Sequence, residues 1–212
     1  MSIRAVFEAT VEGDARRAPV VVRVALEAGS EPQAILEQGL IAAMAEVGEQ
    51  FSRQEAFLPE MLMAARAMKA GLELLRPALL QAGGRPASRV VLGTVQGDIH
   101  DVGKNVVAMA LEGAGFEVID LGVDVAPERF IAAVREWQPH VVGLSALLTT
   151  TMPQIRTTLA AFEEAGIRSQ AKVIVGGAPL SAEFAAQAGA DGYAVDAPQA
   201  AALARRLVQE AG

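Results

Sequence analysis

The residues best suited to metal chemistry are Asp98 and His100, in the segment Gly-Asp-Ile-His-Asp-Val-Gly-Lys-Asn at positions 97–105. Side chains two residues apart in an extended loop point the same way, so a carboxylate can reach one imidazole nitrogen while the other faces outward. This arrangement is typical of a metal-binding histidine, because the carboxylate selects the tautomer and raises ligand basicity. An unremarkable loop histidine and a phosphate loop are the alternatives. The phosphate loop is disfavoured because the glycines do not match the GxGxxG or Walker spacing and two acids would repel phosphate.

Composition excludes several other classes of site. The 212 residues include no cysteine, which removes disulfides, thiolate nucleophiles and thiolate zinc sites, and only two histidines, so we expect no zinc. The net charge of −7 argues against a nucleic-acid partner, since phosphate binding needs clustered Lys and Arg. We find no secretory signal and no run of the roughly 18 apolar residues that span a membrane. We therefore expect a cytoplasmic protein without a membrane partner.

The second half of the chain alternates short apolar segments with helical ones, which predicts a parallel sheet covered by helices. Five strands fit a flavodoxin-like (Rossmann-type) order 2-1-3-4-5, in which ligands bind at the carboxyl ends of the strands, at the switch point. The loops after Gly93, Leu144 and Val175 should therefore form the site. The predicted strands are 90–93, 118–121, 141–144, 173–175 and 193–195, and the predicted helices are 103–114, 127–137, 152–165, 181–188 and 198–210.

The first half is poor in glycine and predicts an all-α four-helix bundle. Residues 18–28 are ambiguous, and we predict a helix because a lone strand would have no partner there. Ser30-Glu31-Pro32-Gln33 predicts a capping box at the start of the next helix. Gly83, Gly84 and Pro86 indicate a linker. The predicted domains are a helical domain at 1–84 and an α/β domain at 85–212.

The Gly97–Asn105 segment resembles the Asp-x-His-x-x-Gly signature of cobalamin-binding domains. Two further elements of that signature follow in order, Ser145-Ala146-Leu147 after the third strand and Gly176-Gly177 after the fourth. The whole chain is similar to the cap and cobalamin-binding domains of methionine synthase. It is more similar to the stand-alone corrinoid proteins of methylamine, methanol and aryl methyl ether methyltransferase systems.

The resemblance implies a cobalamin or related corrinoid, methylcobalamin in the loaded state, bound with its own base displaced. It implies that His100 is the lower axial ligand of cobalt and that Asp98 and Thr151 continue a hydrogen-bond relay. Thr151 has a second interpretation as the N-cap directly before Met152 and Pro153, at the start of the predicted helix 152–165, a role that threonine suits. Gly176 and Gly177 could equally form a plain turn, and Asp120 to Asp124 matches the family but is expected to be structural. The remaining cofactor-binding positions are Gln96, Gly97, Ile99, Asp101, Gly103, Ser145, Leu147, Thr149 and Ala197.

For the helical domain, the resemblance implies an apolar lid over the upper face of the corrinoid, with a hinge near Gly83 and Gly84. The lid positions are Phe51, Leu58, Met61 and Leu62, whose alternative role is ordinary bundle core. His140 is predicted to be a surface histidine.

The function that the resemblance implies is a methyl carrier, the corrinoid subunit of a multi-component methyltransferase, with no turnover alone. Its partners would be a donor methyltransferase, an acceptor methyltransferase and a reductive activator of oxidised cobalt. One alternative is a cobalamin-dependent sensor, although the chain lacks a basic patch for DNA. Another is the cobalamin-binding subunit of a carbon-skeleton mutase, which usually lacks such a helical cap.

Overall fold

The computed structural model describes residues 3–82 and 88–211, and their Cα positions divide into two compact units. One unit contains the described residues up to Ala82, and the other contains most of residues 88–211. The predicted domain boundary between Gly84 and Arg85 lies outside the described residues. The predicted hinge at Gly83 and Gly84 also lies outside them.

The helical unit has the predicted content over residues 3–82. The helices are α1 (Ile3–Val11), α2 (Arg17–Glu27), a continuous third run made of α3 (Pro32–Ala34), a π-helical segment (Ile35–Ile41) and α4 (Ala42–Ser52), and α5 (Leu58–Gln81). The ambiguous segment 18–28 is helical, as predicted. The core of the unit consists of fully buried apolar side chains, among them Val6, Val22, Ile35, Leu40 and Leu75.

The predicted capping box at Ser30 does not form. Pro32 is the first helical residue, which makes Glu31 the N-cap, and no side chain there bonds to the helix start. Ser30 therefore lies one residue too early for the motif. The Gln33 amide instead donates to Glu37 Oε1 at 2.8 Å, one turn along the same helix.

The second unit is built on a five-stranded parallel sheet in the predicted order β2-β1-β3-β4-β5. Val91, Val142 and Val173 are fully buried in its central strands, as expected for a sheet covered on both faces. The strands are β1 (Arg89–Thr94), β2 (Glu117–Asp120), β3 (Val141–Ser145), β4 (Lys172–Gly176) and β5 (Gly192–Ala194).

The helices of this unit connect the strands in sequence. Because the chain steps outward from β1 to β2 and then back to β3, right-handed crossovers place the connecting helices on opposite faces. One face packs Phe130, Ile155 and Phe162 from α7 and α8 against the sheet. The helices are α6 (Val102–Gly113), α7 (Pro127–Trp137), α8 (Pro153–Glu164), α9 (Ala182–Ala188) and α10 (Ala197–Ala211). Within the described ranges, no helix is long and apolar enough to span a bilayer.

The strand order brings two loops together at the switch point. Thr94 at the end of β1 pairs in register with Ser145 at the end of β3. The loop carrying Asp98 and His100 therefore leaves the sheet beside the loop that begins with Ala146.

Candidate functional site

The centre of the site is the carboxylate of Asp98, which is fully buried. Its Oδ1 lies 2.7 Å from His100 Nδ1 and accepts the His100 backbone N–H at 3.1 Å. Its Oδ2 accepts the backbone N–H of Leu147 and the hydroxyl of Thr151, both at 2.7 Å. The loops after β1 and β3 are thus joined through one carboxylate.

These contacts decide the charge of the carboxylate. Burial by itself raises the pKa of Asp98. The hydrogen bonds from the Thr151 hydroxyl, the Leu147 amide and His100 outweigh that effect and hold the pKa well below its usual value of 3.8. Asp98 is therefore ionised at neutral pH and can only accept hydrogen bonds.

The His100 ring is fixed on one side and open on the other. An ionised acceptor requires that Nδ1 carry the proton, which leaves the lone pair on Nε2. The side chain is 44% exposed, so this second nitrogen is accessible to a ligand. The hydroxyl of buried Thr94 also donates to the His100 carbonyl at 2.9 Å. The sequence analysis did not identify Thr94. A polar residue at the end of an apolar strand, directly before the loop, could have indicated a role at the site.

Thr151 is not the N-cap that one interpretation predicted. Met152 occupies that position before α8, and its side chain makes no capping bond. The Thr151 side chain is buried and turned toward Asp98, with the Leu148 carbonyl as a second acceptor at 3.0 Å. The hydroxyl therefore has the position that the relay requires, while a role in proton transfer stays a prediction.

The loop after β2 supports the first loop from the side. Asp124 Oδ1 accepts the Gly97 N–H at 2.6 Å, and the Asp124 N–H donates to the Asp98 carbonyl at 2.9 Å. Asp120 accepts the ammonium of Lys104, a lysine that is almost completely buried. Asp120 Oδ1 also accepts the Gly122 N–H at 2.9 Å, so both acids of the Asp120–Asp124 segment hold backbone in place, in agreement with the expected structural role.

Gly177 is required by the protein itself. Its φ is +136°, and a Cβ built on it would lie 1.9 Å from the Ala146 carbonyl oxygen. A Cβ on Gly176 would lie 3.1 Å from the Ala194 oxygen, a much milder contact. The tight turn alone therefore explains Gly177, and contact of either glycine with a cofactor remains a prediction.

Several apolar side chains are exposed on the loops at the carboxyl ends of the strands. Ile99 is 75% exposed and Leu147 is 39% exposed, and both were predicted to bind cofactor. Val102, Leu148 and Val195 are also exposed at this edge but were not predicted. Exposed apolar groups along the edge of the sheet that carries an accessible nitrogen are typical of a ligand site with an apolar component.

The other predicted cofactor positions differ in accessibility. Ser145 is partly buried and its side chain makes no hydrogen bond to another described residue, whereas Ala197, at the start of α10, is 5% exposed. The remaining predicted positions are exposed, namely Gln96, Gly97, Asp101, Gly103 and Thr149.

The predicted lid residues all lie in the helical unit. Met61 is buried, as the bundle-core alternative predicts, and Phe51, Leu58 and Leu62 are partly buried. Their position over a corrinoid remains a prediction. His140 is exposed, as predicted, and its Nδ1 accepts the Arg89 N–H at 3.2 Å.

His100 is not part of a larger set of metal ligands. Within residues 3–82 and 88–211, no group of three or more His, Cys, Asp or Glu side chains is placed to hold an ion. A metal bound here by Nε2 must therefore bring most of its ligands with it. Such a donor set suits a metal already held in a macrocycle.

Comparisons with known proteins cover both halves of the chain. Sequence profiles described as B12 binding domain match residues 88–202 and 2–76. The chain is 45% identical over 200 residues to trimethylamine corrinoid protein 2 of Methanosarcina mazei, covering 93% of this chain and 92% of that protein. It is 43% identical over 179 residues to dimethylamine corrinoid protein 1 of Methanosarcina acetivorans, covering 84% of each.

Two solved structures are similar over nearly the whole chain. A cobalamin-binding protein from Desulfitobacterium hafniense superposes with a TM-score of 0.81 at 31% identity, covering 97% of this chain and 98% of that one. A chain of the methanol:cobalamin methyltransferase complex from Methanosarcina barkeri superposes with a TM-score of 0.82 at 30% identity, covering 98% of this chain and 79% of that one.

Proposed function

The chain belongs to the B12-binding corrinoid proteins of methyltransferase systems, and from that premise we propose that it is a methyl carrier that binds a corrinoid through His100. The observation that carries this proposal is the contact between the ionised, buried Asp98 and His100 Nδ1 at 2.7 Å. It leaves Nε2 as an accessible nitrogen with the correct tautomer for a metal.

The residues at the sheet edge fit a corrinoid. His100 would supply one nitrogen to the metal, and one is enough because the corrin macrocycle holds the metal with its own nitrogens. Ile99, Leu147 and Leu148 expose apolar surface on the same two loops that hold Asp98 and His100. When bound, the cobalt of the corrinoid accepts and releases a methyl group, which is chemistry that no side chain of this protein provides.

Asp98 orients the ligand and adjusts its basicity. The carboxylate keeps the proton on Nδ1 and places negative charge beside the ring. This makes the lone pair of Nε2 a better electron donor to a metal. The Leu147 amide and the Thr151 hydroxyl hold the other carboxylate oxygen, so the carboxylate cannot rotate freely.

The same groups can hold a proton when the imidazole is not coordinated. The Thr151 hydroxyl has two acceptors, Asp98 Oδ2 and the Leu148 carbonyl, so it can redirect its hydrogen as the charge of the pair changes. We propose this relay as the way in which ligation and proton uptake are coupled.

A carrier needs partner enzymes to load and unload the methyl group. One similar structure is named as a methanol:cobalamin methyltransferase complex, which supports methyltransferase partners. The higher identity to corrinoid proteins named for trimethylamine and dimethylamine makes methylated amines the first donors to test. A reductive activator of oxidised cobalt completes the proposed set of partners.

The test is to identify the axial nitrogen. The protein is labelled with ¹⁵N-histidine, reconstituted with cobalamin, and reduced to the Co(II) form for electron paramagnetic resonance. Ligation by the protein requires that the label change the superhyperfine pattern of the cobalt signal, since the corrinoid's own base is unlabelled.

The two histidines provide a matched pair of variants. H100A should lose the label-dependent pattern and weaken corrinoid binding by at least about tenfold. H140A removes the exposed histidine away from the site and should behave as the wild type. Ligation by His100 would be disproved if the ¹⁵N label left the wild-type cobalt signal unchanged. It would also be disproved if labelled H100A gave the same spectrum as the labelled wild type.

A further inference from the structure

Asp124 lies outside the loop that carries the metal ligand, yet it contacts that loop twice. Its carboxylate accepts the Gly97 N–H at 2.6 Å, and its own N–H donates to the Asp98 carbonyl at 2.9 Å. The two bonds hold the peptide before Gly97 and the peptide after Asp98, and so they fix the backbone on both sides of these two residues. We infer that Asp124 is a positioning residue that determines how His100 presents Nε2 to a metal, an inference that rests on the proposed function.

The backbone around Asp124 is built for this contact. Asp124 has a φ of +52°, in the left-handed region that aspartate, asparagine and glycine tolerate best. The following residue, Val125, forms an isolated parallel bridge with Val95 and donates its N–H to the Thr94 carbonyl at 2.9 Å. The segment is therefore tied to the end of β1 directly before the loop begins.

The contact with Gly97 is transmitted to His100 through Asp98. Gly97 has a φ of +79°, in the left-handed region that glycine adopts readily, and its N–H is held by Asp124. Asp98 accepts from both the ring and the backbone N–H of His100, so a shift of the backbone at Gly97 and Asp98 moves the carboxylate and the imidazole together. Outer groups of this kind affect metal affinity through the ligand that they orient.

Two substitutions separate the carboxylate from the backbone conformation. D124G keeps the left-handed backbone and the N–H bonded to Asp98, because glycine adopts positive φ freely, but it removes the acceptor of the Gly97 N–H. D124N keeps both the conformation and a side-chain oxygen acceptor, so it is the matched control.

The probe is aquocobinamide, a corrinoid without the nucleotide base, so that only the protein can supply the axial nitrogen. Its dissociation constant and the absorption change on ligation are measured by titration of the full chain. We expect D124G to bind about tenfold more weakly, with less of the ligated spectrum, and D124N to bind within about threefold of the wild type. The unfolding temperature of the cofactor-free D124G should fall by no more than several degrees, because the lost hydrogen bond lies at an exposed residue.

A double-mutant cycle tests whether the effect passes through His100. In the H100A background, D124G should leave the remaining cobinamide affinity unchanged, because the ligand that it positions is absent. An equal loss in both backgrounds, wild-type affinity of D124G, or a D124N variant as weak as D124G would each overturn the inference. Failure of the wild type to show His100-dependent ligation would instead remove the proposed function itself.

A measurement without substitution covers the case in which D124G does not fold. Hydrogen exchange in the wild type, corrected for intrinsic rates, should be much slower for the Gly97 amide than for that of the neighbouring Gln96. The backbone N–H of Gln96 makes no hydrogen bond to another described residue, so it is the internal reference for exchange. Equal exchange of the two amides would show that the Asp124 contact does not form.

Discussion

The substitution T151V tests how strongly the buried carboxylate depends on its hydroxyl partner. Valine has nearly the shape of threonine, so the change removes the donor to Asp98 Oδ2 while keeping the volume. Asp98 has four hydrogen bonds, from His100 Nδ1, the His100 amide, the Leu147 amide and Thr151. A hydrogen bond to a charged group contributes about 1.5–3 kcal/mol, so we expect T151V to lower the free energy of unfolding of this unit by that amount at neutral pH.

The pH dependence follows from the direction of the pKa shift. Asp98 has a folded pKa below its unfolded value of 3.8, so its contribution to stability is present above 3.8 and is lost as the pH falls through the folded pKa. T151V raises the folded pKa and so reduces that contribution. The difference in the free energy of unfolding between the wild type and T151V should be constant from about pH 5 to pH 8. It should become smaller only at acidic pH, where Asp98 is protonated in both proteins.

The chain provides its own assay and control. Trp137, the single tryptophan, lies in α7, so its fluorescence in urea follows the sheet unit. T158V is the matched control, since Thr158 is equally buried but its hydroxyl donates only to the Gln154 carbonyl, at 2.8 Å. T158V should lower the free energy of unfolding by about 0.5–1.5 kcal/mol. Its difference from the wild type should not become smaller in acid. A T151V protein as stable as T158V, with the same pH profile, would refute the assignment of Thr151 to the carboxylate.

Two further substitutions test the turn and the exposed apolar edge. G177A should destabilise the sheet unit by more than about 3 kcal/mol in the same urea assay, because its Cβ would collide with a backbone carbonyl. The control is G189A, because Gly189 has a φ of +82° and a Cβ there would have no atom within 4 Å. G189A should lower the free energy of unfolding by only about 1–2 kcal/mol. An equal loss of stability in G177A and G189A would contradict the collision at Gly177. I99S should leave stability within about 0.5 kcal/mol, because Ile99 is 75% exposed, but should weaken corrinoid binding. V20S, at an exposed position of the helical unit, should affect neither quantity, and unchanged corrinoid affinity of I99S would exclude Ile99 from the binding surface.

The order of the elements was predictable from sequence because it depends on local patterns. Apolar segments separated by helical ones predict a parallel sheet, and the chirality of crossovers leaves few strand orders. The strand order and the helix at 17–27 are confirmed on that basis. The capping box failed because one proline moved the helix start by a residue.

The pair of Asp98 and His100 was also predictable, since residues two apart in an extended loop point the same way. The identity of the group that binds to His100 was accessible only through resemblance to a family. Local spacing predicts a metal ligand, but it does not specify a corrinoid.

Only the tertiary structure decided what holds the pair in place. The Leu147 amide and the Thr151 hydroxyl reach Asp98 from 49 and 53 residues along the chain, and Asp124 reaches Gly97 from another loop. Such contacts depend on the path of three loops at one edge of the sheet, and that path is set by packing between distant segments. The same reason explains Gly177, whose need for glycine comes from the Ala146 carbonyl on the neighbouring strand's loop.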